Sequence, residues 1–392
     1  MKLNKEEKSS QGVKLPEKKK VSVNEKMMAV VNEMNGLFLE REEINYALVV
    51  AMVSEQNMLM VGPPGTAKSM VANYLGKAIG GKFFQRLMHK FMTPDELFGP
   101  PDIGALKNGH YKRVSENTLL DADVALLDEI WKASSAINNS ILTVLNERRY
   151  AENGDVKKLP LKLVVGASNE YPQGEELAAA FDRWPIRLEA SYIEEAENFF
   201  KLLESPDQDP TPKTIVPFEE VKQLVEKAKA INPDRKICMV LDNLKRSLMK
   251  EGIVISDRRW KKSIRILKAV AVLAGRDQIE EDDLSFLTNV LWNQPEQKKA
   301  VAKIIISLVN PLRQKALEIL DAANEINRVA LAGGSAQLAE CNDKFRRMKG
   351  DLEKLHNQSK DSGKSTQVFE EVKEKIERMQ KVVISKLTGV DM

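Results

Sequence analysis

The residues of this 392-residue chain whose types and spacing suit chemistry lie in three short stretches. The first is GPPGTAKS, made of Gly62, Pro63, Pro64, Gly65, Thr66, Ala67, Lys68 and Ser69. It is a bent glycine- and proline-rich loop that ends in an amine and a hydroxyl. In such a loop the backbone N–H groups wrap a phosphate chain, Lys68 reaches the β and γ phosphates, and the Ser69 hydroxyl coordinates Mg²⁺. The following helix points its positive end at the anion. The general pattern has glycine before the lysine, where this chain has Ala67, and a plain glycine-proline turn between core elements is the competing reading. The flanking elements favour the phosphate loop.

The second stretch is VALLDEI, Val124 to Ile130, an apolar run that delivers Asp128 and Glu129 to its end. Asp128 suits the Mg²⁺ shell opposite Ser69, and Glu129 suits the group that orients and polarises a water attacking the γ phosphate. Many strands end in acidic turns, so this pair gains meaning from lying about sixty residues after a phosphate loop. The third stretch, Leu161 to Ala167, ends in Ser168, Asn169 and Glu170. An amide at Asn169 could help position that water, and a turn-forming role is its alternative.

These residues need a layered scaffold. Met58 to Val61 reads as the strand before the loop, and Val71 to Ile79 as the helix after it, stopping at Gly80 and Gly81. Two helices, interrupted near Gly36, are expected over Met27 to Val53, and residues 83–192 alternate strand-like and helical segments. The fold class is therefore α/β, a P-loop core with a mainly parallel sheet. Residues 1–25, rich in lysine and glutamate, read as a disordered tail, and the core spans 26–205. The proline-rich stretch Pro206 to Pro217 marks a boundary, and residues 206–295 form an α-helical lid.

Residues 296–392 read as three helices. The first is a long one through Leu331, breaking at Gly333 and Gly334; the second runs to about His356; the last follows the linker NQSKDSGKST, from about Val368 to Lys386. Ile304, Leu308, Leu312, Ile319, Ala323, Ile326 and Val329 recur as one apolar helix face. That stripe is core and carries no chemistry.

The composition, 43% hydrophobic and 30% charged, is that of a soluble globular protein, and the length asks for more than one folding unit. With 60 basic and 57 acidic residues, no global field favours nucleic acid or an anionic membrane. Cys238 and Cys341 lie far apart, and neither has thiols or histidines at metal-ligand spacing. No apolar run reaches the roughly 18 residues of a membrane span, so a cytoplasmic location is expected.

Several stretches together carry a family resemblance: GPPGTAKS, FMTPDELFGPPDIGALK, LLDEIWKASSAINNSILTVLNERRY, ASNE, FDRWPIRL and SDRRWKKSIRILKA. Over residues from about 30 to 295 the chain resembles the MoxR family of AAA+ ATPases, and most closely its RavA subgroup, in which alanine before the loop lysine is usual. The resemblance implies ATP and Mg²⁺ as cofactors and roles that spacing alone does not assign. Arg183 in FDRW matches the arginine finger that reaches a neighbouring subunit's site. Arg258 in SDRRW matches the lid arginine called sensor 2, with Arg259 the alternative. An inserted hairpin is expected between Phe91 and Val114, at about Pro100 to Tyr111, with Gly104 and Gly109 permitting its bends. The resemblance also implies a homo-oligomeric ring, hexameric in the family, and a partner protein bearing a von Willebrand factor A domain.

RavA's β-rich insert between the first two C-terminal helices has no counterpart here, where only AlaGlyGlySer at 332–335 joins them. Its decarboxylase partnership is therefore not carried over. Three functions follow: an ATP-driven, chaperone-like remodelling of a protein client, a nucleotide-gated binding scaffold with incidental turnover, and, less favoured by the balanced charge, a nucleic-acid motor.

Overall fold

The computed structural model describes residues 21–388 apart from 153–154, 173, 175–179, 207–208, 333–334 and 362–365. Most of the expected tail, residues 1–20, and the break at Gly333 and Gly334 lie outside the described residues. Residues 23–25, expected as part of that tail, are helical, because α1 (Val23–Leu37) begins at a capping box in which Glu25 accepts from the backbone N–H of Ser22 at 2.8 Å. After it come α2 (Glu42–Ser54), β1 (Met58–Val61), α3 (Lys68–Ile79), β2 (Phe83–Leu87), α4 (Pro94–Phe98), α5 (Ile103–Lys107) and β3 (Val124–Asp128). Then follow α6 (Ser135–Glu147), β4 (Arg149–Glu152), β5 (Asp155–Lys158), β6 (Leu163–Ser168) and β7 (Ile186–Glu189).

Five strands form one parallel sheet in the order β2-β3-β6-β1-β7. The three central strands are apolar along their length because helices cover both faces: β1 is MLMV, β3 VALLD and β6 LVVGAS. Val61 pairs with Ser168, and Leu127 with Gly166, so the ends of these strands lie level at one edge. Loops that follow parallel strands converge at such an edge. The third strand starts two residues later than expected and includes Ser168.

Of the segment expected as an inserted hairpin, Ile103–Lys107 is helical. Asp102 accepts from the backbone N–H groups of Gly104 and Ala105, at 2.8 and 3.1 Å, and this cap starts α5. A single antiparallel bridge, Pro101 to Arg113, closes its base. Gly104 therefore sits inside the helix, and Gly109, with φ +75°, makes the exit turn. The strands β4 and β5 form an antiparallel pair of their own, in which Tyr150 pairs with Lys157.

Beyond β7 come α7 (Ala196–Glu204), then the helices α8 (Phe218–Ala230), α9 (Arg235–Lys250) and α10 (Asp257–Leu273). A 3₁₀ run over Glu281–Asn289 and α11 (Gln297–Val309) follow. The expected long helix from Glu296 is two helices. Asn310, with φ −144° and ψ 83°, is non-helical because Pro311 follows it and opens α12 (Pro311–Ala332). The second C-terminal helix, α13 (Ser335–Asp361), runs five residues past His356 into the expected linker, and α14 (Gln367–Thr388) ends the described chain.

The apolar stripe is accordingly divided. Ile304 and Leu308 pack on the core shared by sheet and lid, whereas Leu312, Ile319, Ala323 and Ile326 belong to a separate core of α12, α13 and α14 built around Phe345, Phe369 and Ile376. The side chain of Val329 lies outside the described residues. Among the described residues no strand follows residue 189.

Candidate active site

The sheet edge at the ends of β1, β3 and β6 brings the three sequence stretches together. Gly62 continues β1, and its backbone lies so close to the next segment that a Cβ there would stand 2.0 Å from the Ala190 carbonyl oxygen. Pro63, Pro64 and Gly65 carry the loop outward, with φ +79° at Gly65. Thr66 is buried and its hydroxyl donates to the Pro63 carbonyl at 2.9 Å, tying the loop to itself. Ala67 caps α3 in the left-handed region, φ +62° and ψ 15°. That conformation explains why glycine is the general choice at this position.

Lys68 is 8% exposed, and its amine donates to the carbonyls of Gly62 and Pro63, at 2.7 and 2.8 Å, and to Asn169 Oδ1 at 3.2 Å. Burial pulls its pKa below the ordinary lysine range, while Asp128 and Glu129 oppose that pull. The Ser69 hydroxyl donates to Asp128 Oδ2 at 2.8 Å. Glu129, with φ +54°, turns off the end of β3 and accepts from Asn169 Nδ2 at 2.5 Å and from Lys132 at 3.2 Å. The Glu129 backbone N–H donates to Asp128 Oδ1 at 3.0 Å, so Lys68, Ser69, Asp128, Glu129 and Asn169 form one hydrogen-bonded group.

Arg183 and Arg258 are elsewhere. The Arg183 carbonyl accepts from Asn57 Nδ2 at 2.9 Å, and Asn57 immediately precedes β1. From Asn57 to Gly62 the strand climbs roughly 16 Å at about 3.3 Å per residue, so Arg183 sits near the edge opposite its own loop. Arg258 is exposed, whereas Arg259, its alternative as lid arginine, is buried. Arg259 ion-pairs with Asp182 and donates to the Trp292 carbonyl and Asn293 Oδ1, both at 2.9 Å. Its donors are committed to packing lid on core, which leaves Arg258 as the exposed member of the pair.

Two arginines that motif reading did not single out hold this framework. Arg41, 6% exposed, donates to the carbonyls of Thr66, at 3.3 Å, and of Ser191, fastening the phosphate loop to the segment after β7. Arg187, fully buried in β7, donates to the carbonyls of Trp184, Phe181 and Trp292 and lies 3.7 Å from the Phe181 ring centre. An arginine inside the apolar strand IRLE was the available signal for Arg187; Arg41 had none.

A parallel sheet of this strand order with a phosphate loop after β1, acidic residues after β3 and a helical lid behind defines an AAA+ protein. Comparison with known proteins narrows the class. Residues 25–223 match the family described as the MoxR domain in the MoxR-vWA-beta-propeller ternary systems, and residues 236–305 match an AAA lid domain. The chain belongs to the MoxR family.

Two uncharacterised proteins of Methanocaldococcus jannaschii are 35% and 32% identical to it, the first over 91% of this chain and 98% of its own, the second over 88% and 94%. The chaperone MoxR1 of Mycobacterium tuberculosis is 23% identical over 45% of this chain and 48% of its own. A crystal structure from Cytophaga hutchinsonii, described as a candidate ATPase, superposes with TM-score 0.60 at 17% identity over 73% of this chain and 94% of its own. That likeness concerns the fold.

Proposed function

We propose that this chain is an Mg²⁺-dependent ATPase of the MoxR type that works as a ring, hexameric by family resemblance, and remodels a protein client. The observation that carries this reading is the hydrogen-bonded group of Lys68, Ser69, Asp128, Glu129 and Asn169 at one sheet edge. The loop N–H groups and Lys68 would hold the phosphate chain of ATP. Among the described residues no three acidic, histidine or cysteine side chains cluster as metal ligands. The two oxygens of Ser69 and Asp128, 2.8 Å apart, fit Mg²⁺, which takes few protein ligands and fills its shell with phosphate oxygens and water. The ion would neutralise phosphate charge.

Glu129 would take the proton of a water whose oxygen bonds to the γ phosphorus, as the bridging oxygen leaves with its electron pair on ADP. Asn169, bonded to both Lys68 and Glu129, would hold the carboxylate towards that water. The Glu129→Gln variant should bind ATP and release no phosphate, measured by nucleotide binding alongside phosphate release. Undiminished turnover in that variant would overturn the assignment.

Ring assembly is supported by the distance of Arg183 from its own loop, since a finger near the opposite edge serves a neighbour's phosphate. It is supported too by α7, which buries none of its residues and exposes Phe199, Phe200, Leu202 and Leu203, an apolar surface a neighbour would cover. For the partner we look to a protein with a von Willebrand factor A domain, because the matched family model is described from systems that contain one. Membership of the RavA subgroup rests on the sequence stretches alone. No described helix is long and apolar enough to cross a membrane, which is compatible with the cytoplasmic location we propose.

A further inference from the structure

Among the described residues, the sheet edge opposite the phosphate loop gathers several cations. Arg148, Arg259 and Lys262 meet there, with Arg258 on the lid side. Among the described residues, the carboxylates that face this group are already engaged: Asp182 by Arg259, and Glu55 by Lys162 at 2.5 Å and Lys229 at 2.8 Å. Arg148 spends its donors on the carbonyls of Val144, Leu145 and Lys162 and on Asn57 Oδ1. Among the described residues, neither Arg258 nor Lys262 makes a hydrogen bond or an ion pair.

These two cations lie four residues apart on α10, hence on one face and within repulsive reach. Arg258 also stands in the first turn, where the helix dipole disfavours positive charge. Lys262 is half-buried, and burial, opposed by Asp182 and reinforced by Arg148, Arg258 and Arg259, pulls its pKa down to about 8. An anion brought to this face would relieve all three penalties.

Resting on the ring reading above, we infer that Lys262, with Arg258 one turn before it, receives the phosphate chain of the nucleotide held by a second copy of this chain. The subunit's own phosphates are at the far edge of the sheet. A nucleic acid is less suited, because its binding typically engages several phosphates through a basic track, whereas this face offers two unengaged lid cations in a chain with near-balanced charge. The second copy supplies a compact polyphosphate already fixed by its Lys68 loop. Lys262 is thus a catalytic residue acting in trans, its amine strengthening its hold as charge shifts onto the phosphate oxygens.

The test measures ATP turnover and ATP-dependent assembly, the latter by light scattering, for the full chain as wild type, Lys262→Met, Lys262→Arg and Lys68→Ala. Lys262→Met removes an unpaired, half-buried charge, so its fold should persist, which circular dichroism checks. We expect it to assemble as wild type does with turnover at least tenfold lower, and Lys262→Arg to recover most of the loss. Mixing Lys262→Met with Lys68→Ala should restore turnover, because an intact loop on one copy then meets an intact Lys262 on the next. Full turnover in Lys262→Met overturns the inference, as does a loss that mixing does not restore, which would make the role local. Turnover that wild type gains from added single-stranded DNA and Lys262→Met does not would assign the face to nucleic acid and overturn it equally. A wild type that hydrolyses ATP as a monomer removes the ring reading itself, an outcome told apart by the scattering measurement.

Discussion

At the scale of the residue, the loop shows how one substitution is tolerated. Ala67 holds φ +62°, a conformation that costs an L-residue roughly 1–2 kcal/mol and glycine almost nothing. Glycine loses more freedom on folding, which offsets about 0.4–1 kcal/mol of that difference. Ala67→Gly should therefore stabilise the fold by up to about 1 kcal/mol, read as a higher urea midpoint at unchanged slope; a lower midpoint would mean that the alanine methyl packs usefully. Gly62 has no such latitude, since its missing Cβ is what lets the chain pass Ala190. That Lys68, Ser69, Asp128, Glu129 and Asn169 would come together was legible in sequence because each ends an apolar strand or opens a helix, positions that pattern alone locates. Arg41 was not. Its partners are backbone carbonyls 25 and 150 residues away, and backbone acceptors leave no trace in residue types.

At the scale of the element, the lid is fixed to the core by a small buried lattice. Arg259 from α10 and Arg187 from β7 both donate to the Trp292 carbonyl, and Asp182 supplies the carboxylate. Phe181 and Trp292 pack beside them with ring centres 6.1 Å apart. Asp182 and Arg183 are adjacent, so the lattice also holds the backbone of the proposed finger. Removing one partner from such a pair leaves a buried charge uncompensated, at a cost of about 3–5 kcal/mol. Asp182 is partly exposed, so Asp182→Asn should cost near the lower end, about 3 kcal/mol, in chemical denaturation. A change below about 0.5 kcal/mol would show that Trp292 and Asn293 suffice for Arg259.

Strand and helix identities around the site followed from apolar runs and periodicity. The elements misjudged were those set by a single capping or breaking residue. Asp102 caps a short helix within the segment expected as a hairpin, and Pro311 cut a helix whose apolar stripe continued through it.

At the scale of the whole molecule, that proline separates two cores. Residues up to Val309 pack with sheet and lid, and those from Leu312 onward pack among α12, α13 and α14. A chain ending at Asn310 should keep the cooperative unfolding of the core, with a midpoint within a few degrees of the full chain's, by calorimetry. Loss of a cooperative transition would mean that the cores support each other. The division was hidden in sequence because hydrophobic periodicity reports that a face is covered and not by what.

The placement of Arg183 near the edge remote from the loop has a kinetic corollary. If the reacting phosphate and the arginine that serves it never belong to the same molecule, a solitary subunit is an enzyme with half its machinery facing empty water. Catalysis then becomes a collective property: its rate per chain rises with crowding, collapses on dilution, and lets the cell set output through how many copies it makes.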